Sequence, residues 1–405
     1  MMSWRSYVAL ALAASAGAFV APRAAATRSS LRSSPDVEPE PDVSSFYAAL
    51  RSRSEELEDA SATIRSRWTS GACVSRVAVA AGDWVRRMAY DDGVAAFGTA
   101  SGGVGVARVS RAVADAPATV PAHPRAVEAQ DLRPLHGDHD GGGVTALALR
   151  GDVCASGGRD GAVRAFAVAR GAEPRLDGAP ATLELAKSTV VSGVAIGESG
   201  RAIYAAGLDG SVKAWARRDD GDWVETWSKS APSPLLCVAL DERRGALLVG
   251  SASGAAHAYS LADGSRLETW QAHRRSGCRS LVVLGATVYA GANDGAISAA
   301  PLEDDVFKLR PPPRDGSSPK LLPPHGDAVV ALAATPRGLL CSAARDGSLR
   351  VWSVDGAQPK ALYGFGGYKV WIGSLAADDA TLISDGSDNA IICHKFDEAR
   401  PAPEA

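Results

Sequence analysis

The stretch LLCSAARDGSLRVW, residues 339–352, decides the fold of this chain of 405 residues. It contains an apolar run with small residues, an Asp-Gly pair at Asp346 and Gly347, and a second run that ends in Trp352. Asp-Gly between two strand-like runs is a strong β-hairpin signal, because tight hairpin turns need residues that adopt positive φ. The stretch therefore predicts a β-hairpin with an aromatic residue at its end.

Hairpins of the same design recur along the chain. The other copies are VAAFGTASGGVGVARV (94–109, degenerate), VCASGGRDGAVRAF (153–166), IYAAGLDGSVKAW (203–215), LLVGSASGAAHAY (247–259), VYAGANDGAISAA (288–300) and LISDGSDNAIICH (382–394). From Asp160 to Asp388 the turn positions are 49, 44, 41, 52 and 42 residues apart. Two further strand-like runs precede several hairpins, as in LETW (267–270) and VVALAA (329–334). Seven periods of four short strands predict an all-β, seven-bladed propeller.

Four residue types mark the family that these periods resemble. The sixth period carries them in full, and the second carries three of them with Phe166 in place of Trp: His325, Ser342, Asp346 and Trp352, and His136, Ser156 and Asp160. On these residues the region 73–397 resembles the WD40-repeat propellers. The resemblance implies that they form a buried hydrogen-bonded network with a structural role, not a catalytic one. The fourth and fifth periods lack most of the network and are expected to rely on apolar packing.

The resemblance also implies how the ring closes. In WD40 propellers the N-terminal segment supplies the outer strand of the last blade, which here predicts pairing of residues 75–80 with residues 390–396. Two loops depart from a regular array, residues 111–134 between blades one and two, and residues 303–320 between blades five and six. The Pro-Pro-Pro run in the second loop is interpreted as a stiff surface connection, and a polyproline II ligand is the alternative.

The N-terminus has the composition of a targeting sequence. Residues 1–18 place Arg5 before an apolar run that is too short to span a bilayer, which predicts a signal peptide. Residues 19–34 hold three Arg, five Ser or Thr and no acid, which is typical of a transit peptide. The junction ASAGAFVAP resembles the bipartite presequence of algae with secondary plastids of red-algal origin. This resemblance implies a plastid protein, and secretion is the alternative.

An acidic, Pro-rich spacer and one amphipathic helix are predicted for residues 35–72. Ser44 and Ser45 are candidate N-caps and Gly71 is a stop signal. The apolar residues that recur at helical spacing are Phe46, Ala49, Leu50, Leu57, Ile64 and Trp68. Packing on the propeller and a separate docking role are both open for this helix. Residues 398–405 are predicted to form a disordered tail.

Composition argues against several classes of function. Without residues 1–34 the chain keeps 39 Lys and Arg against 46 Asp and Glu, and this acidic balance makes nucleic-acid binding unlikely. The six cysteines are widely spaced, with no CxxC, and are predicted to be buried apolar residues. No GxGxxG, P-loop, HExxH or GxSxG motif occurs. We therefore predict no catalytic residue, cofactor, metal, small-molecule substrate or membrane insertion.

The candidate binding residues lie in loops on one face of the predicted ring. Alignment of blades one and seven places Trp84 and Trp371 at equivalent positions in neighbouring blades, with packing on their own blades as the alternative. Trp, Tyr and Arg dominate binding hot spots. The other candidates on this face are Tyr368, Lys369, Arg86, Arg159, Arg274, Arg275 and Arg345.

Together these features predict a non-enzymatic protein-interaction scaffold of the WD40 type in the plastid, with acidic protein segments as candidate partners. Two other classes remain open, a propeller enzyme with a site in the central channel and an RNA-binding propeller.

Overall fold

A computed structural model describes residues 43–110, 113–115, 117, 119–123, 143–187, 189–310, 320–356, 359–368, 372–387 and 389–398, with the backbone alone for residues 43–50. The chain divides after Glu56 into two units. The larger unit begins at Leu57 and contains the strands of the described residues, which alternate with tight turns.

The strands form seven sheets, each of which is one blade. From the innermost strand outwards, blade one contains Val85–Asp91, Val94–Thr99, Gly103–Arg108 and Thr119–Pro121. Blade two contains Val144–Arg150, Val153–Gly158, Ala162–Ala169 and Arg175–Glu184. Blade three contains Val191–Ile196, Ala202–Gly207, Ser211–Arg217 and Trp223–Ser230. Blade four contains Leu235–Asp241, Ala246–Ser251, Ala255–Ser260 and Arg266–Gln271. Blade five contains Cys278–Leu284, Thr287–Ala292 and Ile297–Pro301. Blade six contains Val329–Ala334, Leu339–Ala344, Leu349–Ser353 and Lys360–Phe365. Blade seven contains Leu375–Ala377, Thr381–Ser387 and Ala390–Lys395. The prediction of a seven-bladed all-β propeller is confirmed.

Turn glycines set the hairpins of the blades. Gly161 and Gly347 follow the turn aspartates of blades two and six, with φ of 74° and 72°. These values lie in the left-handed region that glycine adopts without steric cost. The Asp-Gly pairs therefore produce the hairpins that the sequence predicts.

The last blade is completed by the start of the chain. Strand Val74–Ala80 pairs antiparallel with Ala390–Lys395, from Val74 opposite Lys395 to Ala80 opposite Ala390. The predicted closing strand is therefore confirmed. Beyond it, Ala114–Asp115 pairs in parallel with the closing strand.

The hydrophobic core is a series of seven clusters, each shared by two neighbouring blades. One cluster joins blade seven to blade one, with Ile383, Ile391 and Phe97 among its buried members. Because burial of apolar area is the main favourable term in folding, every blade is stabilised by both of its neighbours. The ring is thus closed by packing as well as by strand pairing.

Three predicted features differ in detail. Blade five has three strands among the described residues, and its third strand forms the isolated bridge Ser298–Lys320 towards the outside. The loop 111–134, predicted as a linker, supplies the outer strand Thr119–Pro121 of blade one. Glu398, predicted to begin a disordered tail, accepts hydrogen bonds of 2.8 and 3.1 Å from Arg76, and residues 399–405 lie outside the described part.

An α-helix, α1, runs from Val43 to Ser70, as the helical spacing predicts. Its last turns belong to the larger unit and pack on the blades. Trp68 is fully buried, its ring stacks on Phe396 at 3.8 Å between centroids, and its Nε1–H donates to the Asp379 carbonyl at 2.8 Å. Packing on the propeller is therefore the correct interpretation for this part of the helix. No helix of the described residues is long and apolar enough to cross a membrane.

Candidate docking face and its supporting networks

Blade six holds a complete polar network. Ser342 Oγ lies 2.7 Å from His325 Nε2 and accepts a hydrogen bond of 2.8 Å from Trp352 Nε1. His325 Nδ1 lies 2.9 Å from Ser348 Oγ, which donates to Asp346 at 2.6 Å. Asp346 also accepts from the Gly326 backbone at 2.7 Å, which ties the hairpin turn to the preceding loop.

Burial decides the protonation of this network. Desolvation lowers the pKa of His325 to about 4, and the neighbouring Arg350 acts in the same direction. His325 is therefore neutral at pH 7, and one ring nitrogen donates while the other accepts. A neutral imidazole held by Ser342 and Ser348 serves as a structural brace.

The corresponding network of blade two uses a different histidine from the predicted one. His123 Nε2 lies 2.9 Å from Ser156 Oγ, and His123 Nδ1 lies 3.1 Å from Asp160 Oδ1. Arg164 adds an ion pair of 2.6 Å with Asp160. His136, to which the sequence assigned this position, lies outside the described residues.

A backbone contact explains why His123 takes this position. Its N–H donates to the Gly102 carbonyl in the hairpin turn of the preceding blade, at 2.9 Å. His273 and His325 make the same bond to Gly254 and Gly295, both at 3.0 Å. The histidine is thus placed by the end of the preceding blade, and its distance along the chain from the next strand is free to vary.

Blade seven carries a network that sequence reasoning missed. Tyr368 Oη lies 3.0 Å from Ser384 Oγ and 2.9 Å from His394 Nε2, while His394 Nδ1 lies 2.7 Å from Ser75 Oγ on the closing strand. Tyr368 thus occupies the loop position of the histidine, and His394 that of the tryptophan. The spacing gave a signal, because Tyr368 precedes Ser384 by 16 residues and His325 precedes Ser342 by 17.

Two of the candidate docking residues, Trp84 and Arg86, lie together at the start of blade one. Trp84 is half-buried in the loop before blade one, and the Arg86 guanidinium lies 5.0 Å from its ring centroid. This cation–π contact holds Arg86, which is itself buried. Asp83 fixes the loop, since its carboxylate accepts from the Trp84 and Ser101 backbone N–H groups at 2.7 and 2.8 Å.

The remaining candidates are distributed around the ring. Arg274 and Arg275 are exposed in the loop before blade five, whereas Arg159 and Arg345 are half-buried in the hairpin turns of blades two and six. Tyr368 directs its hydroxyl into blade seven, which gives it a structural bond, and its docking role stays a prediction. Lys369 and Trp371 lie outside the described residues.

Blades one and seven meet where the sequence placed them. The Ser374 hydroxyl accepts a hydrogen bond of 3.0 Å from the Met88 N–H, and a Cβ on Gly373 would lie 3.2 Å from the Arg86 carbonyl oxygen. The two innermost strands therefore begin side by side. The described residues contain no group of three or more His, Cys, Asp or Glu arranged to hold a metal ion.

Comparison with known proteins agrees with this architecture. The family described as WD40 (WD domain, G-beta repeat) matches residues 316–353, which include the blade-six hairpin. The crystal structure of the WD40 β-propeller domain of Doa1 matches with a TM-score of 0.58 at 15% identity, over 80% of this chain and 97% of that chain. The fold is a WD40-type β-propeller.

Other comparisons bear on fold alone. The crystal structure of the computationally designed protein Ika8 matches this WD40-type propeller with a TM-score of 0.52 at 16% identity, over 79% of this chain and 99% of that chain. A search of curated protein sequences finds no match.

Proposed function

We propose that this WD40-type propeller is a non-enzymatic scaffold that assembles other proteins in the plastid. The observation that carries the proposal is a closed ring of seven blades whose loops carry the held Trp84 and the exposed Arg274 and Arg275. On the face that carries these loops, the loop before the innermost strand of a blade is hydrogen-bonded to the hairpin turn of the same blade. Asp83 accepts from the Ser101 N–H in blade one, and the Gly326 N–H donates to Asp346 in blade six. Rigid anchors reduce the entropy cost of binding, which favours affinity.

The docking surface of this proposal consists of Trp84, Arg274 and Arg275, with Arg159 and Arg345 on the same face. Trp84 is a half-buried aromatic held by Asp83 and Arg86, and such aromatic anchors concentrate binding energy. Arg274 and Arg275 are exposed, so they favour an acidic segment as the partner. Trp371 is included in this surface only because the alignment of blades one and seven makes it equivalent to Trp84.

Affinity capture of tagged protein tests the proposed surface. We expect a defined set of proteins with the wild type, and loss of that set with Trp84→Ala combined with Arg274→Glu and Arg275→Glu. The control is Arg201→Glu with Arg218→Glu. Both are exposed arginines of blade three, at the strand ends away from the hairpin turn. Equal capture by both variants, with unchanged melting temperatures, would refute the docking surface.

Targeting has a separate test. A fluorescent protein fused to residues 1–34 is expected to enter the plastid of an alga with a secondary plastid. Fusion to residues 1–18 alone is expected to stop at the secretory pathway, because the transit-like segment is missing. Secretion of both fusions would contradict plastid action and leave the scaffold proposal standing.

A further inference from the structure

The junction between blades four and five differs in chemistry from the comparable junctions of the ring. At three of these, a glycine on the second strand leaves room for the first residue of the next blade's innermost strand. A Cβ on Gly98, Gly157 or Gly291 would lie 2.4, 2.4 or 2.7 Å from Val144, Val191 or Val329, respectively. The contact is thus glycine against valine, and it is apolar on both sides.

At the fourth such glycine, Gly250, the valine position is occupied by Cys278. The residue paired with Gly250 across the sheet is Cys237, where blades two and five have Ala146 and Ser280 opposite their glycines. A Cβ on Gly250 would lie 2.6 Å from Cys237 Sγ and 2.8 Å from Cys278 Sγ. The two sulfurs are therefore no farther apart than the sum of these distances.

Further contacts place the two thiols together. The Cys237 thiol lies 3.7 Å from the Cys278 carbonyl oxygen, and the Cys278 thiol lies 3.9 Å from that of Ser280. The innermost strands of blades four and five carry one thiol each, so a bond between them would link two blades. Both cysteines are free in the structure.

The two thiols differ in access. Cys237 is half-buried and Cys278 is fully buried. The adjacent Cys237 thiol and burial both raise the pKa of Cys278. An oxidant from solution therefore meets Cys237 first, and Cys278 is placed to resolve the product.

We propose that Cys237 and Cys278 are a redox modification site that forms an inter-blade disulfide by exchange with a small-molecule disulfide. The Cys237 thiolate attacks the disulfide of oxidised glutathione, which forms a mixed disulfide and releases one glutathione. Cys278 then transfers its proton to the released glutathione thiolate, attacks Cys237 Sγ and releases the second glutathione as a thiolate. One disulfide is consumed and one is formed, so no other oxidant enters.

The ring itself provides the control variants. Cys278→Val copies the residue of three other junctions, and Cys237→Ala copies blade two, so both are expected to fold. The four remaining cysteines are buried and serve as internal references: Cys73, Cys154, Cys341 and Cys393.

The test exposes the reduced full-length protein to glutathione buffers in which the oxidised fraction rises stepwise. Free thiols are then alkylated, and linked peptides are identified by mass spectrometry. We expect a Cys237–Cys278 peptide pair in the native wild type, reversed by reduced glutathione. In Cys278→Val, the glutathione adduct on Cys237 should accumulate about tenfold above wild type, because the resolving thiol is missing.

A second readout is thermal stability. The bond would join residues 41 positions apart, and we expect it to raise the melting temperature of the wild type by about 5 °C and to leave both variants unchanged. Oxidised glutathione that leaves both thiols reduced, or that stops at an adduct on wild-type Cys237, would overturn the proposal.

Discussion

At the scale of the residue, Ser342 shows how one hydroxyl can organise a blade. Its oxygen lies between His325 Nε2 and Trp352 Nε1, and all three side chains are buried. A buried polar group that loses its partner costs about 1–3 kcal/mol. Loss of the Ser342 hydroxyl, which bonds both rings, should therefore lower the free energy of unfolding more than loss of a single bond of the network.

We expect Ser342→Ala to lower the free energy of unfolding by about 2–3 kcal/mol, because Trp352 and His325 each lose a bond. The matched control is Ser251→Ala, a buried serine that bonds Ser253 and the Ala255 carbonyl but no ring nitrogen. Its expected cost is about 1 kcal/mol. Denaturant unfolding measures both, and equal losses would contradict the network's importance.

Acid should weaken the folded state. Desolvation lowers the pKa of both His325 and His394 to about 4, below the 6.5 of an unfolded chain, so the unfolded state binds more protons between these values. Stability is present above pH 6.5 and is lost as pH falls towards 4. Each histidine contributes about 1–2 kcal/mol of loss between pH 7 and pH 5.

Asp385 acts in the opposite direction. Burial raises its pKa to about 6, so the folded state binds the extra proton between pH 6 and the unfolded value of 3.8. Asp385→Asn is therefore expected to steepen the acid loss. Unfolding curves at pH 7 and pH 5 measure the effect, and a variant that loses no more stability than wild type would contradict it.

At the scale of the element, the end of helix α1 is part of the propeller. Trp68 is fully buried against Phe396, and Arg337 donates to Ser61 Oγ at 3.0 Å and to its carbonyl at 3.1 Å. A buried tryptophan combines a large apolar area with one N–H that needs a partner. The helix end therefore covers the blade in which Val74–Ala80 pairs with Ala390–Lys395.

Trp68→Ala is expected to cost about 3–5 kcal/mol of unfolding free energy, as for other buried aromatic side chains. Trp223→Ala is the control, because this half-buried tryptophan lies on the outer strand of blade three. Thermal and denaturant unfolding give the comparison. A loss at Trp68 no greater than that at Trp223 would show that helix docking contributes little.

Local patterns in the sequence predicted the hairpins and α1, since Asp-Gly turns and helical spacing act over a few residues, whereas the closing strand was predicted from the resemblance to WD40 propellers. They failed where a position is fixed by a distant partner. His123 is placed by the Gly102 carbonyl, and Tyr368 replaces a histidine through its bond to His394. The sequence also did not predict that blade five has three strands among the described residues.

At the scale of the whole molecule, ring closure makes stability depend on both ends of the chain. Val74–Ala80 completes the last blade, and the His394–Ser75 bond of 2.7 Å fixes the two ends together. A ring that loses this strand exposes an unpaired edge and one side of a core cluster. The loss should therefore spread beyond blade seven.

Deletion of residues 1–80 is expected to lower the melting temperature by about 10 °C or more and to promote aggregation. Deletion of residues 1–42 leaves α1 and the closing strand in place and serves as the control. Calorimetry compares the two. Equal melting temperatures would contradict closure by the N-terminal strand.

Native mass spectrometry of the captured complexes tests most directly whether one ring assembles several proteins. We predict particles whose mass equals one propeller with two different partners, and their loss in the Trp84, Arg274 and Arg275 variant. Captured proteins that each bind alone and displace one another would contradict a scaffold.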